Sequence, residues 1–158
     1  MATITAALSV NSDVTDYGMA INNTMTLNKA GSRLGLDETT GLAKRTFKAN
    51  TQVDLLVAGS GICADVTASK AAKVYIKNIG TSSVDYFTIG FGNLSSGDPG
   101  TIQASNGDGS AFQLGRLYGG DWMLIPWLAV GTTGDISIVP SNATTADPMH
   151  VEYMVLFE

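Results

Sequence analysis

Cysteine, histidine, basic side chains and long apolar runs are all scarce in this sequence, and each scarcity removes a class of function. Cys63 is the only cysteine in 158 residues, so neither an intramolecular disulfide nor a multi-cysteine metal site can form. With no basic neighbour, it reads as an inert thiol rather than a nucleophile. His150 is the only histidine; a Ser-His-Asp triad would have to pass through it, and a two-histidine metal site is excluded. It lies between Pro148-Met149 and a strand-like segment, which is the setting of a structural or surface histidine. Nine Lys and Arg against 14 acids give a net charge of -5. That balance offers no broad phosphate-neutralising surface and argues against bare nucleic acid as a partner. The longest apolar runs are a few residues, far short of a membrane span. The opening MATITAALSV lacks the basic start and continuous apolar centre of a signal peptide. The expectation is a protein made soluble in the cytoplasm, with no membrane partner, no metal and no cofactor.

What is present is the material of one compact β domain. A chain of this length buries roughly two-thirds of its unfolded surface and stands without disulfides. The hydrophobic share of 44% with only 15% charged residues is light in charge for a surface fully exposed to water, which leaves room for a partner to cover part of it. The charge is also split along the chain. Residues 1–77 hold eight of the nine cations and six acids, a net +2, while residues 78–158 hold one cation and eight acids, a net -7. Such polarity suits a protein that meets copies of itself, or an oppositely charged neighbour, in a fixed orientation.

The segment Lys73 to Gly92 is rich in β-branched and aromatic residues. Its two runs, Val74-Tyr75-Ile76 and Tyr86-Phe87-Thr88-Ile89, flank a Gly-Thr-Ser-Ser connection and predict a central hairpin. Ala2 to Val10 alternates in part, with Ile4, Leu8 and Val10 on even positions, and predicts a strand. A short strand around Met19 to Ile21 and an alternating Thr24 to Asn28 follow a turn-rich stretch. Lys29 to Gly41 fits neither strand nor helix period and reads as an extended loop or arm, which in a compact domain is functional or tied down by a neighbour. Leu42 to Ala49 predicts a strand with its basic side exposed. Further strands are expected at Val53 to Ala58, Ala111 to Tyr118, Ile136 to Val139 and His150 to Glu158. Trp122 to Trp127 is apolar on both faces and predicts a buried strand, with Pro126 placing its end at a sheet edge. Nine or ten strands, no long helix and frequent turns make an all-β fold, an antiparallel β-sandwich or jelly roll. Residues 1–41 would form an N-terminal strand or arm region and residues 42–158 the sandwich.

Three motif fragments fail on context. Gly59 to Ala64 has the G-x-G-x-x-A spacing of a dinucleotide-binding turn, but no repeating strand-helix units follow it. Asn106 and Asp108 resemble part of a calcium loop without its ligand series or closing Glu. Asp37 and Glu38 are adjacent in a loop and would point apart rather than converge as a hydrolytic pair. Trp122 and Trp127, with the 93–110 loop, would be the platform of a carbohydrate-binding module, although aromatic residues in apolar strands more often belong to the core.

The runs KVYIKNIGTSS, YGGDWMLIPW, DISIVPSNAT and VEYMVLF, in that order, resemble small virion structural proteins of tailed bacteriophages, particularly of cyanobacterial and marine phages. The opening SDVTDYGMAINNTMTLNKAG and GLDETTGL are similar to the N-terminal arms of such proteins. The resemblance implies a non-enzymatic β-sandwich on the virion, a capsid decoration or cement protein, or else a tail, neck or fibre component. Its expected partners are the major capsid protein and copies of itself, in a homo-oligomer such as a trimer. Binding through an arm or added edge strand uses main-chain hydrogen bonds and few special side chains. The residues expected to carry it are Ile4, Leu8, Met25, Leu27, Arg33, Leu34 and Leu36 of the arm, and Lys44, Arg45 and Lys48 of the first basic strand.

Overall fold

A computed structural model describes residues 3–12, 19–28, 38–58, 72–91, 112–127 and 134–157. Every regular element among them is a β-strand: β1 (Thr3–Ser12), β2 (Met19–Asn28), β3 (Glu38–Thr39), β4 (Ala43–Phe47), β5 (Val53–Leu56), β6 (Ala72–Asn78), β7 (Tyr86–Phe91), β8 (Phe112–Tyr118), β9 (Trp122–Trp127), β10 (Ile136–Pro140) and β11 (Met149–Phe157). The chain divides into two compact units, Met1–Glu38 and Thr39–Phe157.

The first unit is a two-stranded antiparallel ribbon. β1 and β2 pair from Thr3↔Asn28 to Ser12↔Met19 without a break in register. The sequence predicts two short strands here, separated at Asn22-Asn23. The structure runs straight through, and the Ser9 hydroxyl donates to Asn22 Oδ1 across the ribbon at 2.7 Å, so an Asn that elsewhere makes turns is held in the ladder.

The second unit is a sandwich of two antiparallel sheets. In one, β11 lies between β6 and an edge formed by β4 and β3, with β9 beyond β6; in the other the order is β5-β10-β7-β8. Its pairings have a simple logic. β7 pairs with β8, β6 with β9, β5 with β10 and β4 with β11, like one long hairpin folded at the β7–β8 connection. The pairings β6–β11 and β7–β10 then roll that hairpin into two sheets. This is the jelly-roll order, the more specific of the two predicted architectures.

The predicted central hairpin is corrected by this topology. β6 and β7 are both strands, but they belong to different sheets, and residues 79–85 carry the chain across the sandwich. The crossing is held by side chains: Ser82 Oγ accepts from the backbone N–H of Val84 and Asp85, and Ser141 Oγ accepts from Tyr86 N–H at 2.9 Å. Glycine is required at 119 because a Cβ there would stand 2.6 Å from the Ser82 carbonyl oxygen. That close approach lets the β8–β9 turn hydrogen-bond to the crossing, through Gly119 N–H to Ser82 O at 3.1 Å.

The core is built from alternating positions. β6 buries Ala72, Val74, Ile76 and Asn78 and half-exposes the residues between them, because successive strand side chains point to opposite faces. Val74, Ile76, Val151 and Val155 of one sheet and Phe87, Ile89, Ile136 and Ile138 of the other form one buried cluster. Phe47 and Phe87 join the sheets, ring centroids 5.2 Å apart. The second correction concerns β9, which is buried on one face only. Trp127 is 4% exposed and donates its indole N–H to the Gly134 carbonyl, whereas Trp122 is 47% exposed and Pro126 is exposed. β9 is an edge strand, as Pro126 predicts.

Candidate functional site

The ribbon register sets Ile4 opposite Leu27, Ala6 opposite Met25, Leu8 opposite Asn23 and Val10 opposite Ile21. One alternate set of positions is therefore mostly apolar. Leu8 is 45% exposed and Met25 is half-buried, so Leu8 leaves apolar surface open to water. Arg33, Leu34 and Leu36 lie outside the described residues, as do Cys63, the Gly59 to Ala64 run, Asp37, and Asn106 and Asp108 of the 93–110 loop.

The three basic residues of the β4 region do not act together. Lys44 and Lys48 are exposed, but Arg45 shares the inward side of β4 with Phe47. Its guanidinium lies over the Phe47 ring at 5.5 Å and donates to the Asp54 carbonyl at 2.7 Å. The expectation of one exposed basic side is thus corrected: the two-residue period splits Lys44 from Arg45, and Arg45 fastens β4 to β5.

Sequence reasoning missed the outward face of the β4–β11–β6–β9 sheet. Cross-strand registers place Trp122, Lys77, Glu152 and Lys44 in one row, and Leu124, Tyr75 and Met154 in the next. The Tyr75 and Trp122 rings are 6.2 Å apart and tilted by 38°. Burial, and then the nearby Glu152 carboxylate, push the Tyr75 phenol above its ordinary pKa, so it is a neutral hydroxyl at any physiological pH. Tyr75, Leu124 and Met154 are half-buried and Trp122 is exposed. The signal was available in the alternation of KVYIKN and WMLIPW, but the second run was read as apolar on both sides. Such a face can recognise a protein surface: Tyr75 sits centrally on β6 with Lys77 two positions along the strand, and Trp122 extends the aromatic surface to the edge strand β9.

Polar groups inside the sandwich serve its structure. Asp135 is buried and accepts the Ala58 N–H at 2.7 Å, and Ser137 Oγ donates to Asp54 Oδ1 at 3.1 Å. Burial raises the Asp54 pKa; the Ser137 hydrogen bond opposes this, Asp135 adds to it and Arg45 counters it in turn. His150 Nδ1 lies 3.0 Å from Thr46 Oγ1, linking β11 to β4. Among the described residues no three His, Cys, Asp or Glu side chains gather as a metal site. The two tryptophans do not form one platform, since Trp127 is spent in the core.

No known protein family, curated protein or solved structure matches this chain.

Proposed function

We propose that this chain is a non-enzymatic structural protein of a tailed-phage virion, a decoration or cement protein that binds the major capsid protein lattice and stabilises the head. The observation that carries this reading is the N-terminal ribbon. It is a compact unit of its own, made of two ten-residue strands that pair with each other and with no third strand among the described residues. A two-stranded ribbon is marginal in water by itself, and its outer edges are templates for another chain. The jelly roll supports the reading as an architecture that capsid proteins use. The aromatic and lysine-bearing outward sheet face supplies a second contact. Many copies on one lattice turn individually weak contacts into tight attachment.

The test mixes capsid shells lacking the protein with either the full chain or residues 39–158, then images the particles and measures their thermal disruption. The full chain is expected to bind in a regular array and raise the disruption temperature; the shortened chain is expected to bind at least about tenfold more weakly, the loss of roughly 1.4 kcal/mol or more. Failure of both to bind shells overturns the capsid role, and decoration of tails instead would move the protein to the neck, tail or fibre.

A further inference from the structure

The crossing from β6 to β7 and the loop from β10 to β11 enclose a cleft of about 310 Å³ at one end of the sandwich. That is near the lower end of the range for small-molecule sites, about 300–1,000 Å³. Of the outward sheet face it takes only His150, two positions before Glu152 in β11.

Its polar side chains are held by internal hydrogen bonds that leave specific groups unused. Ser82 Oγ accepts two backbone N–H groups, so its own hydrogen remains to donate. Asn142 donates one amide hydrogen to Asp85 Oδ1 at 3.2 Å, which leaves its second N–H, its carbonyl and the other Asp85 oxygen. The Asp147 segment is closed by two bonds with Thr144, from Asp147 N–H to Thr144 Oγ1 at 2.9 Å and from Thr144 N–H to Asp147 O at 3.0 Å; the Asp147 carboxylate takes no part in either. His150 meets Thr46 through Nδ1, and Nε2 is the nitrogen left over. Pro148 and Met149 add an apolar patch to the lining.

This is a mixed set of donors and acceptors beside apolar surface, in a cleft whose backbone is already fixed. A cationic group would call for acceptors only. An anionic group is disfavoured, because the lining has two carboxylates and, among the described residues, no Lys or Arg. A polyhydroxylated ring offers alternating O–H donors, oxygen acceptors and C–H faces. We infer that this cleft binds a neutral saccharide unit, with Asp85 and Asn142 as its principal hydrogen-bonding pair. The inference goes beyond the structural role and does not depend on it.

The test is an amide-resolved NMR titration of the full chain with methyl glycosides of neutral hexoses and of N-acetylglucosamine, and in parallel with glucuronate and arginine amide. At least one neutral glycoside is expected to shift the amides of Gly80, Thr81, Asp147 and Met149 saturably. Asn142→Ala, at an exposed position, and the isosteric Asp85→Asn are each expected to weaken that binding about fivefold, as for loss of one hydrogen bond, and glucuronate should bind at least about tenfold more weakly by charge repulsion. The inference is overturned if no neutral glycoside moves these resonances, if arginine amide moves them and glycosides do not, or if both variants titrate like the wild type. Shell attachment is read in a separate assay, so either proposal can fail without the other.

Discussion

At the scale of single residues, the sandwich edge between β4, β5 and β10 shows how one carboxylate can work against the fold it belongs to. Asp54 receives a hydrogen bond from Ser137, yet burial outweighs that bond and raises its pKa. A raised folded-state pKa means that the folded protein holds the proton more tightly than the unfolded chain does. The contribution of Asp54 to stability is therefore greatest at low pH and is lost as pH rises from the ordinary carboxylate value through the raised one. Asp54→Asn removes the charge and keeps an oxygen for Ser137. The variant is expected to melt at a higher temperature than the wild type at pH 7, and the advantage should shrink as pH falls through the raised value and be gone below the ordinary carboxylate value of about 4. Thermal unfolding followed across that range checks it, and a variant uniformly less stable at every pH would refute the assignment. Nothing in the sequence announced this, because Asp54 looks like any polar position in VDLL. The shift comes from burial in the folded sandwich, and the groups that oppose it and add to it, Ser137 and Asp135, are more than 80 residues away.

At the scale of elements, β9 separates what periodicity reveals from what it hides. Trp122 and Trp127 stand five positions apart in one strand, an odd spacing that sends them to opposite faces. Trp127→Ala is expected to cost about 3–5 kcal/mol, by emptying a core site and orphaning the Gly134 carbonyl. Trp122→Ala should cost less than about 1 kcal/mol, since the residue is exposed and loses chiefly its Tyr75 contact. Urea unfolding of the two variants measures both, and equal losses would contradict the placement of β9. Strand existence was legible for nearly every element, because β-branched alternation bounded by Gly, Asn and Ser is a local property. Strand partnership was not. The pattern in Lys73 to Gly92 shows which side chains face inward, but an inward-facing residue fits either sheet of a sandwich. The Gly-Thr-Ser-Ser connection also lacks the Asn-Gly or Asp-Gly pair that pins a tight hairpin. In the same way the basic residues of β4 were legible as a cluster in sequence, and the two-residue period of the predicted strand already separated Lys44 from Arg45; only the role of Arg45 as a fastener to Asp54 required the structure.

At the scale of the whole molecule, the fold is closed by its last strand. β11 sits inside its sheet, paired with β6 along Val151 to Phe157 and with β4 along Met149 to Tyr153. Thr40 also caps it, donating its N–H to Val155 O and accepting the Val155 N–H on its hydroxyl. The pairing of β4 with β11 joins residues about a hundred positions apart, as between Thr46 and His150, so the roll is completed only when the C-terminal strand arrives. The apolar arm positions in β1 and β2 were readable from alternation. The cleft and the outward sheet face were not, since each is assembled from strands and loops that only the rolled topology brings together. The same topology predicts opposite outcomes for the two ends of the chain. Among the described residues all members of the buried cluster lie between Phe47 and Phe157, so residues 39–158 are expected to unfold in a single cooperative transition within about 3 °C of the full chain, a difference of about 1 kcal/mol or less for a domain of this size. Removing residues 149–158 takes Val151, Val155 and Phe157 from the core and strips β4 and β6 of their shared partner. That loss exceeds the roughly 5–15 kcal/mol by which a domain is stable, so the shortened chain should show no unfolding transition by calorimetry. If the C-terminal deletion still melts cooperatively while the N-terminal one does not, the core has been placed in the wrong part of the chain, and the ribbon could no longer be regarded as a segment held in reserve for a neighbour.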